Sequence, residues 1–131
     1  ISAADVSGNG AEDLIVTEYT SGRVSVLLNS GDGTLAAPVH YDTRGNGPCW
    51  AIPFELNGDG APDIAVVDAA TSVVTILRND GRGVFRIVDE FDSGGKGPST
   101  VVAADFDGDG RDDLAVAHWE SNNVVLFLNR S

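Results

Sequence analysis

The chain has 131 residues, of which 42% are hydrophobic, and it carries a net charge of −12 with an isoelectric point of about 4.2. This composition is typical of a globular chain and argues against nucleic acid and anionic membranes as partners, since both repel an acidic surface. No run reaches the roughly 18–20 apolar residues of a membrane span, no signal peptide is recognisable, and the one cysteine excludes an intrachain disulfide.

The first predicted elements follow an acidic loop, DVSGNGAED at 5–13. Two short apolar runs come next, DLIV at 13–16 and VSVLLN at 24–29, and the segment NSGDGT at 29–34 favours a tight hairpin. Short runs rich in Val, Ile and Leu, bounded by Gly, Asn and Asp, predict β-strands rather than helices.

The same pattern recurs after 50 residues and again after 100, without a gap. The matching segments are ELNGDGAPD (55–63), DFDGDGRDD (105–113), DIAV (63–66), DLAV (113–116), VVTILRN (73–79) and VVLFLN (124–129). Repeats of this length are typical of solenoids, propellers or arrays. A unit of about four strands favours propeller blades, because each such sheet has two apolar faces to cover.

We therefore predict an all-β fold, a single domain over 1–131 built as a partial β-propeller from the repeats 1–50, 51–100 and 101–131. Each repeat is a four-stranded antiparallel sheet, the last one incomplete, and the acidic loop joins strand one to strand two. The chain supplies about 11 strands, whereas closed propellers typically have 4–8 blades, so we expect an open arc with a bare apolar face at each end.

We number the nine residues of each acidic loop from 1 to 9. Positions 1, 3, 5 and 9 all have a side-chain oxygen, and a glycine at position 6 permits the sharp turn. Position 7 would contribute its backbone carbonyl. The candidate ligands are Asp5, Ser7, Asn9, Ala11 and Asp13 in loop one, Glu55, Asn57, Asp59, Ala61 and Asp63 in loop two, and Asp105, Asp107, Asp109, Arg111 and Asp113 in loop three. Hard oxygens converging on a tight loop predict Ca²⁺, up to one ion per repeat and three per chain, rather than Zn²⁺ or Mg²⁺.

An EF-hand is excluded, because position 12 is Val16, Val66 or Val116 instead of a bidentate Glu, and strands rather than helices flank the loop. A metal-free Asp/Asn/Gly turn is the alternative. Ligand carboxylates number four in loop three, three in loop two and two in loop one, so we expect loop three or two to bind more tightly than loop one.

The pattern D-x-[DNS]-x-[DN]-G-x-x-D, followed by DLAV-like and VxVLLN strands and a GDGT hairpin, resembles the FG-GAP/VCBS repeat family, whose blades build integrin-α-type propellers. The resemblance covers nearly the whole chain. It implies Ca²⁺ in the loop between strands one and two of each blade, and an extracellular, adhesion-like or carbohydrate-associated setting. Ser7, Asn9 and Glu55 depart from the family pattern.

From these features we expect a non-catalytic, calcium-binding propeller module at the cell surface or secreted, which binds a protein or a lectin-type glycan ligand. The bare ends favour a homo-oligomer, with a dimer preferred because two chains give about six blades. The alternative is a fragment whose missing blades lie elsewhere in a longer protein. The alternatives are a purely structural propeller piece, designed or excised, that closes with other copies and has no ligand beyond calcium, and a hydrolase in which calcium is a support.

We expect structural rather than catalytic roles for the histidines, the cysteine and the aromatic residues near strand ends. His40 and His118 are expected at the surface or at strand edges, and Cys49 as a buried small residue rather than a nucleophile. Aromatic side chains near strand ends are expected to pack in the core, with stacking on sugar rings as the alternative. These aromatics are Tyr19, Trp50 and Trp119.

Overall fold

The structure, a computed structural model, describes residues 1–131. Eleven β-strands form three antiparallel sheets, and the only helical segment is a 3-10 turn at Tyr19–Ser21. The predicted fold class, an all-β arc of propeller-type blades that does not close, is confirmed. The structure contains no helix that could span a membrane.

The first sheet has the strand order β1-β2-β3-β4. Its strands are Ser2–Ala4, Asp13–Glu18, Arg23–Leu27 and Val39–Asp42. The acidic loop lies between β1 and β2, as the sequence predicted, and the glycine-containing hairpin lies between β3 and β4.

The second sheet repeats this order with β5 (Pro48–Phe54), β6 (Asp63–Asp68), β7 (Val73–Asn79) and β8 (Phe85–Asp92). Every residue of β6 is buried, because neighbouring sheets cover both of its faces. This sheet is the centre of the molecule.

The third sheet has three strands in the order β11-β10-β9. They are β9 (Pro98–Ala104), β10 (Asp113–His118) and β11 (Asn123–Phe127). Both β5 and β9 begin at the proline of a Gly-Pro pair, shortly before residues 51 and 101, and proline is well placed at a strand's first position because its missing N–H costs no ladder bond there.

Two apolar cores alternate with the three sheets. The first core, between sheets one and two, contains Val6, Ile15, Val24, Val26, Ala51, Ile64, Val66, Leu77 and Phe85. The second core, between sheets two and three, contains Phe54, Ala65, Val67, Val74, Ile76, Val101, Leu114 and Val116. Burial of these side chains is the main driving force for stacking the sheets.

Asparagine side chains form hydrogen bonds between neighbouring sheets. The Nδ2 of Asn79 donates to the carbonyl of Val6 at 2.8 Å, and the Nδ2 of Asn129 donates to the carbonyl of Leu56 at 2.8 Å. Asn79 is the last residue of β7 and Asn129 lies just after β11, so this hydrogen bond recurs with the repeat and sets the alignment of adjacent sheets.

Two expectations about single residues are wrong. The aromatics assigned to the core are exposed: Trp119 is 66% exposed, Tyr19 53% and Trp50 42%. His118, expected at the surface or at a strand edge, does end β10 but is buried, with 4% of its surface exposed, and its Nε2 lies 3.0 Å from the Ser93 hydroxyl. Both errors arise because burial at a strand end depends on which inter-sheet loop crosses it.

Candidate metal centre

The ninth residue of each acidic loop begins the second strand of its sheet, as predicted, and it is fully buried. These residues are Asp13, Asp63 and Asp113. In the third repeat, Asp113 Oδ2 accepts from the Phe106 amide at 2.9 Å and Oδ1 accepts from the Asn129 amide at 2.7 Å. The carboxylate thus connects the start of the loop to the end of the third strand, a structural role that the sequence argument missed.

The first residue of each loop holds the turn together. Asp105 Oδ1 accepts from the amides of Gly108 at 2.7 Å and Asp109 at 3.1 Å, while Oδ2 accepts from Gly110 at 2.9 Å. Asp5 and Glu55 make the corresponding contacts in the other loops. Glycine is required at position 6, because Gly110 has a φ of 85°.

The third loop brings three carboxylates together. Asp105, Asp107 and Asp109 each place an oxygen within 4.8 Å of the others, and all three residues are exposed. Like charges this close repel one another, so they require a positive neighbour. Arg130 supplies one, with its Nη1 3.0 Å from Asp107 Oδ2 and 3.8 Å from Asp109 Oδ2, and Arg111 also pairs with Asp109.

The first two loops are less concentrated in charge. In loop one, the Asn9 side chain donates to the carbonyl of Asn29 at 2.8 Å and accepts from the Ala11 amide at 2.9 Å. In loop two, Asn57 donates to Asp59 at 2.9 Å, and Arg78 lies 3.9 Å from that carboxylate. Neither loop gathers three carboxylates as the third loop does.

Hydrogen bonding keeps several of these carboxylates anionic. Amide donors, that of Gly10 first, lower the pKa of Asp5, and the Ala61 amide does the same for the pKa of Asp59. The Asn129 amide lowers the pKa of Asp113, whereas burial raises the pKa of Asp63. An anionic carboxylate is the form that a hard divalent cation requires.

The donor set of the third loop fits calcium. Its ligand atoms are hard oxygens, and the backbone carbonyl of Arg111 at position 7 accepts no hydrogen bond from another backbone amide, so it is free to bind a cation. The same holds for the carbonyls of Ala11 and Ala61. Ca²⁺ takes 6–8 oxygen ligands, and an ion here would replace the two arginines as the positive partner.

The contacts of Cys49 and His40 favour structural roles for these residues. Cys49 is half-buried, and burial, together with the charge of Asp68, raises the pKa of its thiol, which disfavours the nucleophilic thiolate. His40 lies at the surface, as expected, with its Nδ1 2.9 Å from Glu18 Oε1 and 2.6 Å from the Ser25 hydroxyl.

Comparison with known protein families agrees with the repeat pattern. Residues 55–116 match the model of a family described as FG-GAP-like repeat. The match extends from the second acidic loop through the third and ends within β10. The resemblance to FG-GAP repeats seen in the sequence is therefore confirmed over residues 55–116. No curated protein matches the chain. Repeats of this family form propeller-like domains that are typically non-catalytic.

Proposed function

We propose that the chain is a non-catalytic, calcium-binding β-propeller module that works outside the cell and presents a surface to a protein or glycan ligand. The observation that supports this most is the convergence of Asp105, Asp107 and Asp109 in a loop whose pattern occurs three times in register. The carbonyl of Arg111 and the carboxylate of Asp113 complete the oxygen set of that loop.

Calcium would act by neutralising the repulsion between the loop carboxylates and attracting them to one ion. Bound to the folded loops alone, it stabilises the fold by about 2.7 kcal/mol when free calcium is 100 times the dissociation constant. We expect the melting temperature to rise on adding calcium and to fall on adding EDTA, with little response to magnesium. An identical melting curve in calcium and in chelator would contradict the proposal.

A matched pair of variants locates the ion. The double variant Asp107→Asn, Asp109→Asn removes two charges from the third loop, and we expect calorimetric titration to show the loss of the tightest calcium site. Glu120→Gln changes an exposed carboxylate at the opposite end of β10 and serves as the charge control. Equal loss of calcium binding in both variants would mean that the acidic surface as a whole, not the loop, attracts calcium.

The two free sheet faces favour assembly with a second copy. On the third sheet, Val102 is 52% exposed, Val124 69% and Leu126 48%. The residues 50 positions earlier are Ile52, Val74 and Ile76, which pack in the second core against the third sheet. The free face of the first sheet carries Leu14, Val16 and Leu27, the equivalents of core residues Ile64, Val66 and Leu77.

Each free face thus repeats a surface that already contacts a neighbouring sheet within the molecule. Head-to-tail contact of two copies would give about six blades, within the range of closed propellers. The Asn29 side chain donates only to the Glu12 carbonyl, whereas its equivalent Asn79 also bridges sheets. Asn29 therefore has a free side-chain N–H. Its acceptor in a second copy would be the carbonyl of Phe106, which is the equivalent in the third repeat of Val6, the acceptor of Asn79.

Mass measurement by light scattering at micromolar concentration tests this assembly, and we expect a dimer. Leu126→Asp places a charge in the proposed contact and should give a monomer, while Val84→Asp, a change at an exposed hairpin residue, should leave the dimer intact. A monodisperse monomer of the unmodified chain would contradict the assembly.

Ligand binding is supported by the exposed aromatics Tyr19, Trp50 and Trp119, since such rings stack on sugar faces and anchor protein interfaces. A glycan array tests the sugar ligand, with Trp119→Ala as the variant expected to lose any signal. An array without hits would favour the structural alternative, a propeller piece with no ligand beyond calcium. Hydrolysis of ester, glycoside or phosphodiester substrates would contradict the non-catalytic assignment.

A further inference from the structure

The ninth-position carboxylates, which close the three acidic loops, are joined by hydrogen bonds from one repeat to the next. In the third repeat, Asp113 Oδ1 accepts from the backbone amide of Asn129 at 2.7 Å. The Asn129 side chain donates to the carbonyl of Leu56, at position 2 of loop two, at 2.8 Å. The amide of Leu56 donates in turn to Oδ2 of Asp63, the closing carboxylate of loop two, at 3.3 Å. One asparagine and one loop residue therefore connect the two closing carboxylates.

The same contacts connect loop two to loop one. Asp63 Oδ1 accepts from the amide of Asn79 at 2.7 Å, and the Asn79 side chain donates to the carbonyl of Val6 at 2.8 Å. The amide of Val6 donates to Asp13 Oδ2 at 3.0 Å. The connection from Asp113 to Asp13 thus passes through all three loops, and we call its members the inter-loop hydrogen bonds.

Most of this connection is shielded from water. The three closing carboxylates are 0% exposed, Val6 is 1% exposed and Asn79 is 3% exposed. A buried polar group that loses its partner is costly, so each member of the connection restrains the next. Residue 2 of loops one and two is therefore fixed from two sides, by its own closing carboxylate and by the asparagine of the following repeat.

Residue 2 stands between two of the predicted calcium ligands. In loop two these ligands are Glu55 at position 1 and Asn57 at position 3. The carbonyl that accepts from Asn129 belongs to the peptide bond between Leu56 and Asn57. The asparagine of one repeat consequently helps to position the ligands of the preceding loop.

Loops two and three share a second contact that loops one and two lack. Asp112, at position 8 of loop three, accepts at its Oδ2 from the amide of Glu55 at 3.0 Å. The equivalent residue of the second repeat is Pro62, whose side chain has no hydrogen-bonding atom. Loop three is therefore connected to loop two more firmly than loop two is to loop one.

We propose that the inter-loop hydrogen bonds couple the three predicted calcium sites, with Asn79 and Asn129 as the coupling residues. The proposal rests on the calcium binding proposed above and adds that the loops bind cooperatively. Ordering of Asp113 by a bound ion would also order Asn129 and the ligands on either side of Leu56, so loop two would lose less conformational entropy when it binds. The coupling should be stronger between loops two and three than between loops one and two.

A calcium titration followed by NMR tests the coupling, because the amides of Gly10, Gly60 and Gly110 report the occupancy of each loop separately. The double variant Asp107→Asn, Asp109→Asn disables loop three. We expect it to weaken binding at loop two by about fivefold or more, the lower end of typical coupling between sites, and to affect loop one less. An unchanged or higher affinity at loop two would overturn the proposal.

A double-mutant cycle separates the hydrogen bonds from the loss of charge. In a chain with Asn129→Ala and Asp112→Ala, disabling loop three removes the same two charges, but we expect loop two to weaken by about twofold or less. Asn29→Ala is the matched control, because Asn29 has the same repeat position and its side chain donates only to Glu12 of its own repeat. The same loss in all three backgrounds would show that charge alone connects the loops and would overturn the proposal.

Hydrogen exchange keeps the test decisive where Asn129→Ala fails to fold. In a chain with loop two weakened by Asp59→Asn, calcium that fills only loop three should slow exchange of the Leu56 amide. The amide of Thr43, which donates to Gly22 at the other end of the sheets, is the control for global stabilisation. Equal slowing of both amides, or no slowing at Leu56, would overturn the proposal.

The failure of the coupling is distinguishable from the failure of calcium binding itself. Three loops that bind calcium with independent affinities would leave the proposed function intact and would overturn the coupling alone. A chain in which no loop binds calcium would overturn both.

Discussion

The first and second sheets have nearly the same sequence pattern but very different surroundings. All of β6 is buried, whereas in the equivalent strand β2 only Asp13 and Ile15 are. Phe85 is 6% exposed, whereas its counterpart Leu35 is 40% exposed. The second sheet has a neighbour on each side and the first has one. The contribution of a repeated residue to the stability of the fold therefore depends on the adjacent sheets.

The largest difference is expected between Phe85 and Leu35. Phe85→Ala leaves a cavity in the first core and should lower the free energy of unfolding by about 3–5 kcal/mol. Leu35→Ala should change it by less than about 1 kcal/mol, because that side chain is already partly in water. Urea unfolding of both variants measures the contrast. Similar losses would mean that the two hairpins are packed alike in solution.

The asparagines at the ends of the third strands, Asn29 and Asn79, give a smaller contrast. Their Oδ1 atoms accept the same pair of glycine amides in each hairpin, but only Asn79 also donates across to Val6. We expect Asn79→Ala to cost about 2–3 kcal/mol and Asn29→Ala about 1 kcal/mol. The excess is the contribution of the bridge between sheets, and denaturant unfolding measures it. An excess of zero would show that packing alone aligns the sheets.

The acidic loops of the two sheets differ by one carboxylate in the central ligand positions. Asn9→Asp gives loop one the same number of ligand carboxylates as loop two, and Asp59→Asn does the reverse. We expect calcium affinity to rise in the first variant and fall in the second, each by up to about tenfold, as ligand charge predicts. Calorimetric titration of each variant against the unmodified chain checks both signs. Opposite signs would mean that loop rigidity outweighs charge.

The smallest effect concerns acid stability at Glu18, whose counterpart is Asp68. Asp68 accepts from the backbone amides of Gly47, Ala70 and Thr71. Glu18 instead accepts from side chains, and the hydroxyl of Ser25, followed by Ser21 and Arg23, lowers the pKa of Glu18 from 4.5 to about 2.

A lowered carboxyl pKa stabilises the fold above pH 4.5, and this contribution disappears as the pH falls from there towards 2. We expect Glu18→Gln to flatten the melting temperature between these two pH values, because it lowers the melting temperature slightly above pH 4.5 and leaves it unchanged near pH 2. The effect is small because the group is at the surface. Ser25→Ala, which removes the strongest donor, should flatten it in part. A profile unaffected by either change would show that the contacts are too transient to matter.

Much of the architecture follows from local patterns in the sequence. The eleven strands, the hairpins and the acidic loop between strands one and two were predictable, because β-branched runs and glycine turns are local signals. The repeat in register also predicted three sheets of one kind. The candidate calcium ligands came from the same pattern, and their role as ligands remains a prediction.

Other features depend on contacts that no local pattern records. The sequence showed that Asp113 begins a strand, but not that its oxygens accept amides from both ends of the repeat. It did not reveal that Arg130 lies against the third-loop carboxylates. Trp119 and His118 were placed wrongly for the same reason, because burial at strand ends is decided by neighbouring loops.

The sequence by itself therefore determined the strands, their connections and the spacing of the oxygen-rich loops, since these depend on residues close together in the chain. Only the tertiary structure decided which copy of each repeated residue is buried, paired or exposed. The physical reason is that burial and inter-sheet hydrogen bonds are properties of adjacent sheets, and the three sheets do not have the same number of neighbours.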